Sequence, residues 1–328
     1  MSDVSLEELA ALEVFADIPV EALAAVAADL MPLSAAAGEV LMRQGDRAES
    51  FTLITSGRVA VRHVDNDGHV AVTELSPGRV VGEIALLRNT LRTATVIARD
   101  DVRGYVGDTG VFERMLAIPV VAERMIRTAR QRLAADLAPI PVAAVNGVEL
   151  MLRPVLPGDA ERFQRSGAFS RETLHRRFLS SYALTEARLS YLFEVDYVDH
   201  FVWVLTSGAD GPVVGDGRFV RDKEEPTSAE IAITVADAYQ RRGIGTLLLA
   251  ALAVAARSDG VERFHALVLN ANDAARALGN KLNVCWGQEE PGVVSTAFEV
   301  SSLDMAPLSD ETRRQIGSVA RQVIHAFD

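Results

Sequence analysis

Two short glycine-containing segments, well separated in the chain, restrict the fold of this 328-residue protein more than any other feature. Glycine lets the backbone approach an anion closely, so that amides or an arginine can bind its oxygens. The chain is also longer than one hydrophobic core usually fills, so we expect two domains with one anion site in each. The first segment is Gly82-Glu83-Ile84-Ala85-Leu86-Leu87 followed by Arg92-Thr93-Ala94, and the second is Gln240-Arg241-Arg242-Gly243-Ile244-Gly245.

Charge and composition exclude several classes of protein. The formal net charge of −12 disfavours binding to a phosphate backbone, so no nucleic acid partner is expected. No apolar run reaches the roughly 18 residues of a membrane helix, and no Cys/His cluster has metal-ligand spacing, so neither a membrane nor a metal is expected. The single cysteine, Cys285, cannot form an intrachain disulfide, which favours a cytoplasmic location. Because it stands near a predicted strand, we expect it to be a buried small side chain rather than a nucleophile.

The first part of the chain changes from helical to strand-like patterns and back. Residues 38–106 contain short β-rich runs separated by glycine-containing turns, which is typical of a β-roll or barrel. Helical spacing over residues 5–30 and 112–137 predicts flanking helices on both sides. Two prolines follow and end the last helix, so the sequence predicts a first domain over 1–137 and a linker over 138–147.

The second part of the chain mixes strand and helix patterns, which predicts one central sheet with helices packed on it. We assign this domain to residues 148–302 and a further C-terminal helix to residues 303–328. The overall fold class is therefore α+β. The predicted elements are strands at 201–206, 213–220, 229–235, 263–269 and 293–300, and helices at 243–256, 272–282 and 309–326.

The first glycine segment suits a cyclic nucleotide, which presents one anionic phosphate and a ribose hydroxyl. Arg92 can donate two hydrogen bonds to the phosphate, and Glu83 can accept one from the hydroxyl. The segment resembles the phosphate-binding cassette of the cyclic-nucleotide-binding domain family, whose pattern it meets without a gap, and the resemblance covers about residues 10–137. It implies a β-roll that binds cAMP. The implied cAMP-binding residues are Gly82, Glu83, Ile84, Ala85, Arg92 and Thr93.

In that family a helix after the β-roll closes over the base of the nucleotide. The corresponding helix here ends near Leu137 and carries Arg130 and Arg132, either of which could lie over the adenine. Of the two, Arg132 is the preferred candidate.

The second glycine segment follows a predicted strand and opens a predicted helix, which is the usual setting for a pyrophosphate. It resembles the coenzyme A loop of the GNAT acyltransferase superfamily, and the resemblance covers about residues 148–300. The resemblance implies that the backbone at Ile233, Thr234 and Val235 aligns the pantetheine arm and that Asn270 and Asn272 hold its distal part. The other implied acetyl-CoA residues are Gln240, Arg241, Arg242, Gly243, Ile244 and Gly245.

The chemistry of acyl transfer to an amine calls for a base, because a lysine amine with a pKa near 10.4 is protonated at neutral pH. Glu230 begins the strand before the glycine loop, and the resemblance implies that it is the general base. One departure from the family concerns the later helix, which usually carries a tyrosine that protonates the leaving thiolate. This chain has Gly279 there.

The two resemblances occur in one order, cyclic-nucleotide domain first. The combination resembles the cAMP-regulated protein lysine acetyltransferases of mycobacteria and related actinobacteria. It implies acetyl transfer from acetyl-CoA to lysines of proteins such as acyl-CoA synthetases, with cAMP relieving autoinhibition. We expect the long stretch 159–191 to act as the inhibitory lid.

Two alternatives stay open on the sequence alone. A cAMP-responsive binding protein with an inactive GNAT half would explain Gly279, and a small-amine acetyltransferase could carry the same regulator. A cAMP-controlled transcription factor is disfavoured, because the chain is acidic and no helix-turn-helix follows the β-roll.

Overall fold

The computed structural model describes residues 4–64, 68–179, 185–303 and 305–327. The chain divides into two compact units, one of Met1–Ala129 with Phe327–Asp328 and one of Arg130–Ala326. Both contain helices and sheets, which confirms the predicted α+β class. Within the described residues, none of the helices is long and apolar enough to cross a membrane.

The first unit is a β-roll with flanking helices. One of its four-stranded sheets has the order β1-β8-β3-β6 and the other has the order β2-β7-β4-β5. In chain order the elements are α1 (Leu6–Ala10), α2 (Val20–Ala27), β1 (Met31–Ala35), β2 (Val40–Met42), β3 (Ser50–Ser56), β4 (Val59–Val64), β5 (Val70–Leu75), β6 (Val80–Val81), α3 (Glu83–Leu87), β7 (Thr95–Ala98), β8 (Val102–Asp108), α4 (Thr109–Leu116) and α5 (Pro119–Asp136). From Arg130 onwards, the residues of α5 belong to the second unit, so the first unit ends earlier than the predicted residue 137.

Two helices of this unit begin at residues that suit a helix N-terminus. The Asp108 carboxylate accepts a hydrogen bond from the Val111 amide at 2.9 Å and so caps α4. Pro119 then opens α5, at a position where a missing N–H costs no hydrogen bond. Phe51 of β3 and Phe112 of α4 are both buried, and their ring centroids lie 5.5 Å apart in the core between sheet and helices.

The second unit is one eight-stranded sheet covered by helices. Its strand order is β15-β16-β14-β13-β12-β11-β10-β9. In chain order the elements are β9 (Ile140–Val145), β10 (Val148–Pro154), α6 (Asp159–Ser166), α7 (Arg171–Phe178), α8 (Glu186–Phe193), β11 (His200–Ser207), β12 (Val213–Arg221), β13 (Ser228–Val235), α9 (Ile244–Ser258), β14 (Arg263–Leu269), α10 (Asp273–Lys281), β15 (Gly287–Glu290), β16 (Val293–Glu299) and α11 (Asp310–Ile324).

Strands β13 and β14 are parallel neighbours that pair only at their beginnings. Ser228–Glu230 pairs with Arg263–His265, and beyond these residues no further pairing of the two strands occurs in this fully described part of the sheet. Every other neighbouring pair in the sheet is antiparallel. The later halves of β13 and β14 therefore leave a gap in the sheet, and backbone groups that face it are open to a ligand.

Helix α9 packs closely on the sheet beside this gap. A Cβ on Gly217 of β12 would lie 3.3 Å from a methyl carbon of Leu252, so glycine permits this close approach. Most residues of α9 are buried, which agrees with its nearly uninterrupted run of alanine and leucine. The helix is therefore held firmly against the sheet, and the glycine loop leads into its N-terminus.

Two boundaries differ from those expected. The segment 138–147, predicted as a linker, carries β9 of the second unit, because Pro141 stands in an edge strand where its missing N–H is tolerated. The C-terminal helix α11 is not separate either, since Ile316 and Val323 are fully buried in the core of the second unit. The short strand β15 was not among the predicted elements.

Candidate functional site

The cassette of the first unit places Arg92 against the backbone of Gly82. Gly82 precedes α3 with a φ of +89°, and a Cβ there would lie 2.6 Å from Nη1 of Arg92. Nη1 donates to the Gly82 carbonyl at 3.0 Å, and Nη2 donates to the Ser50 carbonyl at 2.6 Å. Glycine is therefore required twice, for the left-handed backbone and for the space that the guanidinium fills.

Arg92 is a buried cation that lies close to two carboxylates. Arg92 is 6% exposed and Glu83 is 2% exposed. Burial lowers the pKa of Arg92, while the charges of Glu83 and Asp46 oppose this shift. The guanidinium is thus oriented by carbonyl groups and balanced by carboxylates, as a site for one anionic phosphate requires.

The other predicted cassette residues lie along the same segment. Ala85 is buried within α3, Ile84 is half-buried, and the Thr93 carbonyl lies 2.6 Å from Nδ1 of His63. Arg132 belongs to the second unit, whereas the cassette belongs to the first. Its predicted place over the adenine therefore stays a prediction.

A cavity of about 460 Å³ in the second unit lies beside the unpaired end of β13, between it, the glycine loop and α10. The cavity extends from the strand end to the glycine loop, where Arg241 and Gly243 adopt φ values of +58° and +81°. The first turn of α9 follows directly, and helix N-termini attract anions. Nine of the residues predicted to bind acetyl-CoA line this cavity: Ile233, Thr234, Val235, Gln240, Arg241, Gly243, Ile244, Gly245 and Asn272.

Two predicted acetyl-CoA residues do not line the cavity. The guanidinium of Arg242 donates to the Ala238 carbonyl and to Oδ1 of Asn146, both at 3.2 Å. Oδ1 of Asn270 accepts from Arg276 at 2.8 Å. In the described structure both side chains are held by neighbouring groups outside the cavity wall.

Glu230 lies at a second, smaller cavity of about 140 Å³. The carboxylate is exposed, and the strand carries on from it through Ile231 and Ala232 along the cavity wall. Six residues line both cavities, which makes the two spaces neighbours: Arg176, Arg177, Ile233, Asn272, Ala275 and Leu278. The two neighbouring cavities thus form a groove that begins at the glycine loop and ends beside Glu230.

Helix α7, inside the stretch predicted as a lid, covers part of both cavities. Asp237 accepts hydrogen bonds from the Ser170 amide at 2.7 Å and from the Thr173 hydroxyl at 3.0 Å. Partial burial raises the pKa of Asp237, but these bonds outweigh it, and the pKa lies below its usual range. Gln240 also donates to the Thr173 hydroxyl at 3.0 Å. The helix is therefore fastened at its start; residues 180–184 of the predicted lid lie outside the described residues.

A buried polar cluster, which the sequence did not predict, lies on the same face of the sheet as Glu230. Arg218 pairs with Asp216 at 2.6 Å, and both side chains are 1% exposed. Burial, with the charges of Arg218 and Arg177, lowers the pKa of His200 to about 3. Burial also lowers the pKa of Arg177, whose charge is partly offset by Asp216 and Glu230. His200 is therefore neutral at physiological pH.

The indole of Trp286 lies against Gly279, the position at which the sequence lacks a tyrosine. A Cβ on Gly279 would lie 2.5 Å from a ring carbon of Trp286. The Trp286 Nε1 donates to Oδ1 of Asn280 at 2.9 Å, and an indole N–H is far too weak an acid to protonate a leaving thiolate. Cys285 next to it is exposed, and our expectation of a buried side chain is wrong, because the chain between α10 and β15 runs over the surface.

Comparisons with known proteins agree with this division of the chain. Residues 32–118 match the cyclic nucleotide-binding domain family, and residues 170–283 match the acetyltransferase (GNAT) family. The chain is 50% identical over 327 residues to an acetyltransferase, Pat, from Mycolicibacterium smegmatis, covering 99% of this chain and 98% of the relative. A cAMP-dependent protein kinase regulatory subunit from Dictyostelium discoideum is 34% identical over 91 residues, covering 27% of this chain and 28% of that protein.

Solved structures give the same result. The chain is similar to a cAMP-binding acyltransferase from Mycobacterium smegmatis, with a TM-score of 0.53 and 47% identity over 98% of this chain and 97% of that one. A variant of that protein with one arginine replaced by lysine has a TM-score of 0.52, with 48% identity over the same shares of the two chains.

Proposed function

The chain belongs to the cAMP-regulated acetyltransferases of mycobacteria, and we propose that it transfers acetyl from acetyl-CoA to the ε-amine of a lysine on a protein. One observation supports the site best: the glycine loop and Glu230 lie at the two ends of neighbouring cavities along one strand. Acyl-CoA synthetases are the proposed acceptor proteins. The cytoplasmic location stays a prediction.

Acetyl-CoA is proposed to bind along the gap in the sheet. Its pyrophosphate would accept hydrogen bonds from amides of Gly243, Ile244 and Gly245, at the positive end of the α9 dipole. Its pantetheine arm would follow the unpaired half of β13 past Ile233, as an added strand does. An amide of this strand would then polarise the thioester carbonyl.

Glu230 is proposed to act as the general base, directly or through one water. It takes the proton that the lysine ammonium loses, and the neutral nitrogen attacks the thioester carbon. The new C–N bond forms as the C–S bond breaks, coenzyme A leaves as a thiolate, and the second proton of the attacking nitrogen passes to water or to that thiolate. A thiol has a pKa near 8.5, so its anion is a tolerable leaving group near neutral pH even without a tyrosine acid.

Regulation is proposed to begin at Arg92, with Glu83 accepting from the ribose hydroxyl. Helices α6, α7 and α8 form the proposed lid, since Arg176 and Arg177 of α7 occupy the walls of both cavities. The ligand changes the equilibrium between a closed and an open lid only by binding the open state more tightly. To raise the open fraction from 1% to 99% it needs about 5.5 kcal/mol of differential binding free energy. We therefore expect partial rather than absolute gating.

The test measures initial rates of acetyl transfer by the full chain with and without cAMP. Three acceptors are compared: a folded acyl-CoA synthetase, a lysine peptide and a small primary amine. Arg92→Ala is expected to remove activation by cAMP and keep basal turnover, and Arg103→Ala, an exposed arginine of β8, is the matched control. Equal rates with and without cAMP would reject the coupling, and a preference for the small amine would reject the protein acceptor.

A further inference from the structure

The side chain of Trp286 is fixed against one face of α10. Two carbons of its indole would lie 2.5 and 3.0 Å from a Cβ on Gly279, so the ring sits directly on the glycine backbone. The indole Nε1 donates to Asn280 at 2.9 Å, and the Arg276 guanidinium lies 4.9 Å from a ring centroid. Residues 276, 279 and 280 share one face of the helix, and together they hold the ring in place.

This fixed ring forms part of the wall of the smaller cavity, which Glu230 also lines. Leu282 and Phe298 stand beside it, and β14 adds Ala266 and Leu267. Most of the residues that line this cavity are apolar, and the charged ones are Arg176, Arg177 and Glu230. The cavity suits a hydrocarbon group better than a charged one.

The smaller cavity lies where the acyl group of a bound acyl-CoA would reach. An acyl-CoA with its pyrophosphate on Gly243–Gly245 and its pantetheine along Ile233 carries its acyl group past the shared wall into the smaller cavity. That space is about 140 Å³, against about 460 Å³ for the cavity at the glycine loop. The acyl chain therefore points towards the Trp286 ring, at the end of the groove where Glu230 lies.

We propose that Trp286 sets the upper length of the acyl group that the enzyme transfers. The indole is held at this place by its contact with the Gly279 backbone and its hydrogen bond to Asn280, so a longer chain meets a ring of fixed position. An acetyl group is accepted, and each further methylene meets the ring. The inference rests on the proposed function and adds to it a determinant of donor specificity.

The experiment compares kcat/KM for acetyl-CoA, propionyl-CoA and butyryl-CoA with one lysine peptide at saturating cAMP. Trp286→Ala should raise the ratio of butyryl to acetyl transfer by about tenfold or more, since one methylene in an apolar pocket changes kcat/KM by about 10- to 200-fold. Trp286→Phe should raise the ratio less, because a smaller ring still closes the cavity. Cys285→Ser is the matched control, an exposed neighbour that should leave the ratio unchanged.

The outcomes separate this inference from the proposed function. A ratio within about twofold of the parent in both Trp286 variants overturns the inference, whether or not acetyl transfer continues. If the parent transfers no acetyl group to any lysine, the proposed function fails. Calorimetric affinities of acetyl-CoA and butyryl-CoA for the parent and Trp286→Phe then still test the ring: an unchanged affinity ratio overturns its role. Trp286→Phe also serves if Trp286→Ala does not fold.

Discussion

Replacing Glu230 with glutamine tests the proposed chemistry most directly. The two side chains have the same shape, and Glu230 is exposed at the cavity, so the variant should fold with an unchanged melting temperature. The substitution removes a carboxylate base. At pH 7 a lysine amine with a pKa near 10.4 is about 3.4 units from deprotonation, which corresponds to about 4.6 kcal/mol. Loss of a general base typically lowers the rate by about 10²–10⁴-fold, and we expect a loss in this range.

The pH dependence of the variant carries the stronger evidence. Without the carboxylate, transfer depends on amine that is already neutral in solution, so log kcat/KM should rise by about one for each pH unit between 7 and 9. The parent should rise less steeply, and the ratio of parent to variant should therefore shrink with pH. Initial rates of peptide acetylation measure both profiles. Glu224→Gln, an exposed acid outside both cavity walls, is the control. A ratio that stays constant from pH 7 to pH 9 would refute a role as base.

Three further predictions follow from individual contacts. Gly82→Ala should abolish calorimetric cAMP binding, because the new Cβ would lie 2.6 Å from Nη1 of Arg92 at a left-handed φ. Lowering the pH from about 6.5 towards 3 should reduce the free energy of unfolding, because His200 takes up a proton in the unfolded chain but not in the folded one. The melting temperature of His200→Gln should depend less on pH than that of the parent. Asp159→Asn should cost about 3–5 kcal/mol in urea unfolding, because it leaves buried Arg153 without its carboxylate.

Each of these three has a contradicting result. Wild-type cAMP affinity in the Gly82 variant would mean that Arg92 does not need its present position. Identical pH profiles for the parent and the His200 variant would mean that other groups account for the loss. A cost below about 1 kcal/mol for the Asp159 variant would mean that the buried pair contributes little beyond its packing.

The sequence predicted most of the elements, because hydrophobic periodicity and turn glycines act over a few residues. It also indicated two candidate anion sites, since the cassette at 82–94 and the loop at 240–245 are continuous segments. A motif whose residues follow one another in the chain can be recognised from the sequence alone. Prediction from the sequence failed for residues 138–147, where two prolines indicated a linker and the chain formed an edge strand. The pairing of this strand with β10 cannot be predicted from the residue pattern of the segment itself.

What remained was decided by tertiary packing. Gly279 in the sequence indicated a missing tyrosine, and the structure shows that the indole of Trp286 takes up the space beside it. The sequence placed Cys285 in the core, and the fold left it on the surface. Glu230 and Trp286 share one cavity because β13, β14 and α10 converge there. A sequence motif fixes backbone conformation over short distances, whereas the residues that line a cavity come from distant segments, and only their packing brings them together.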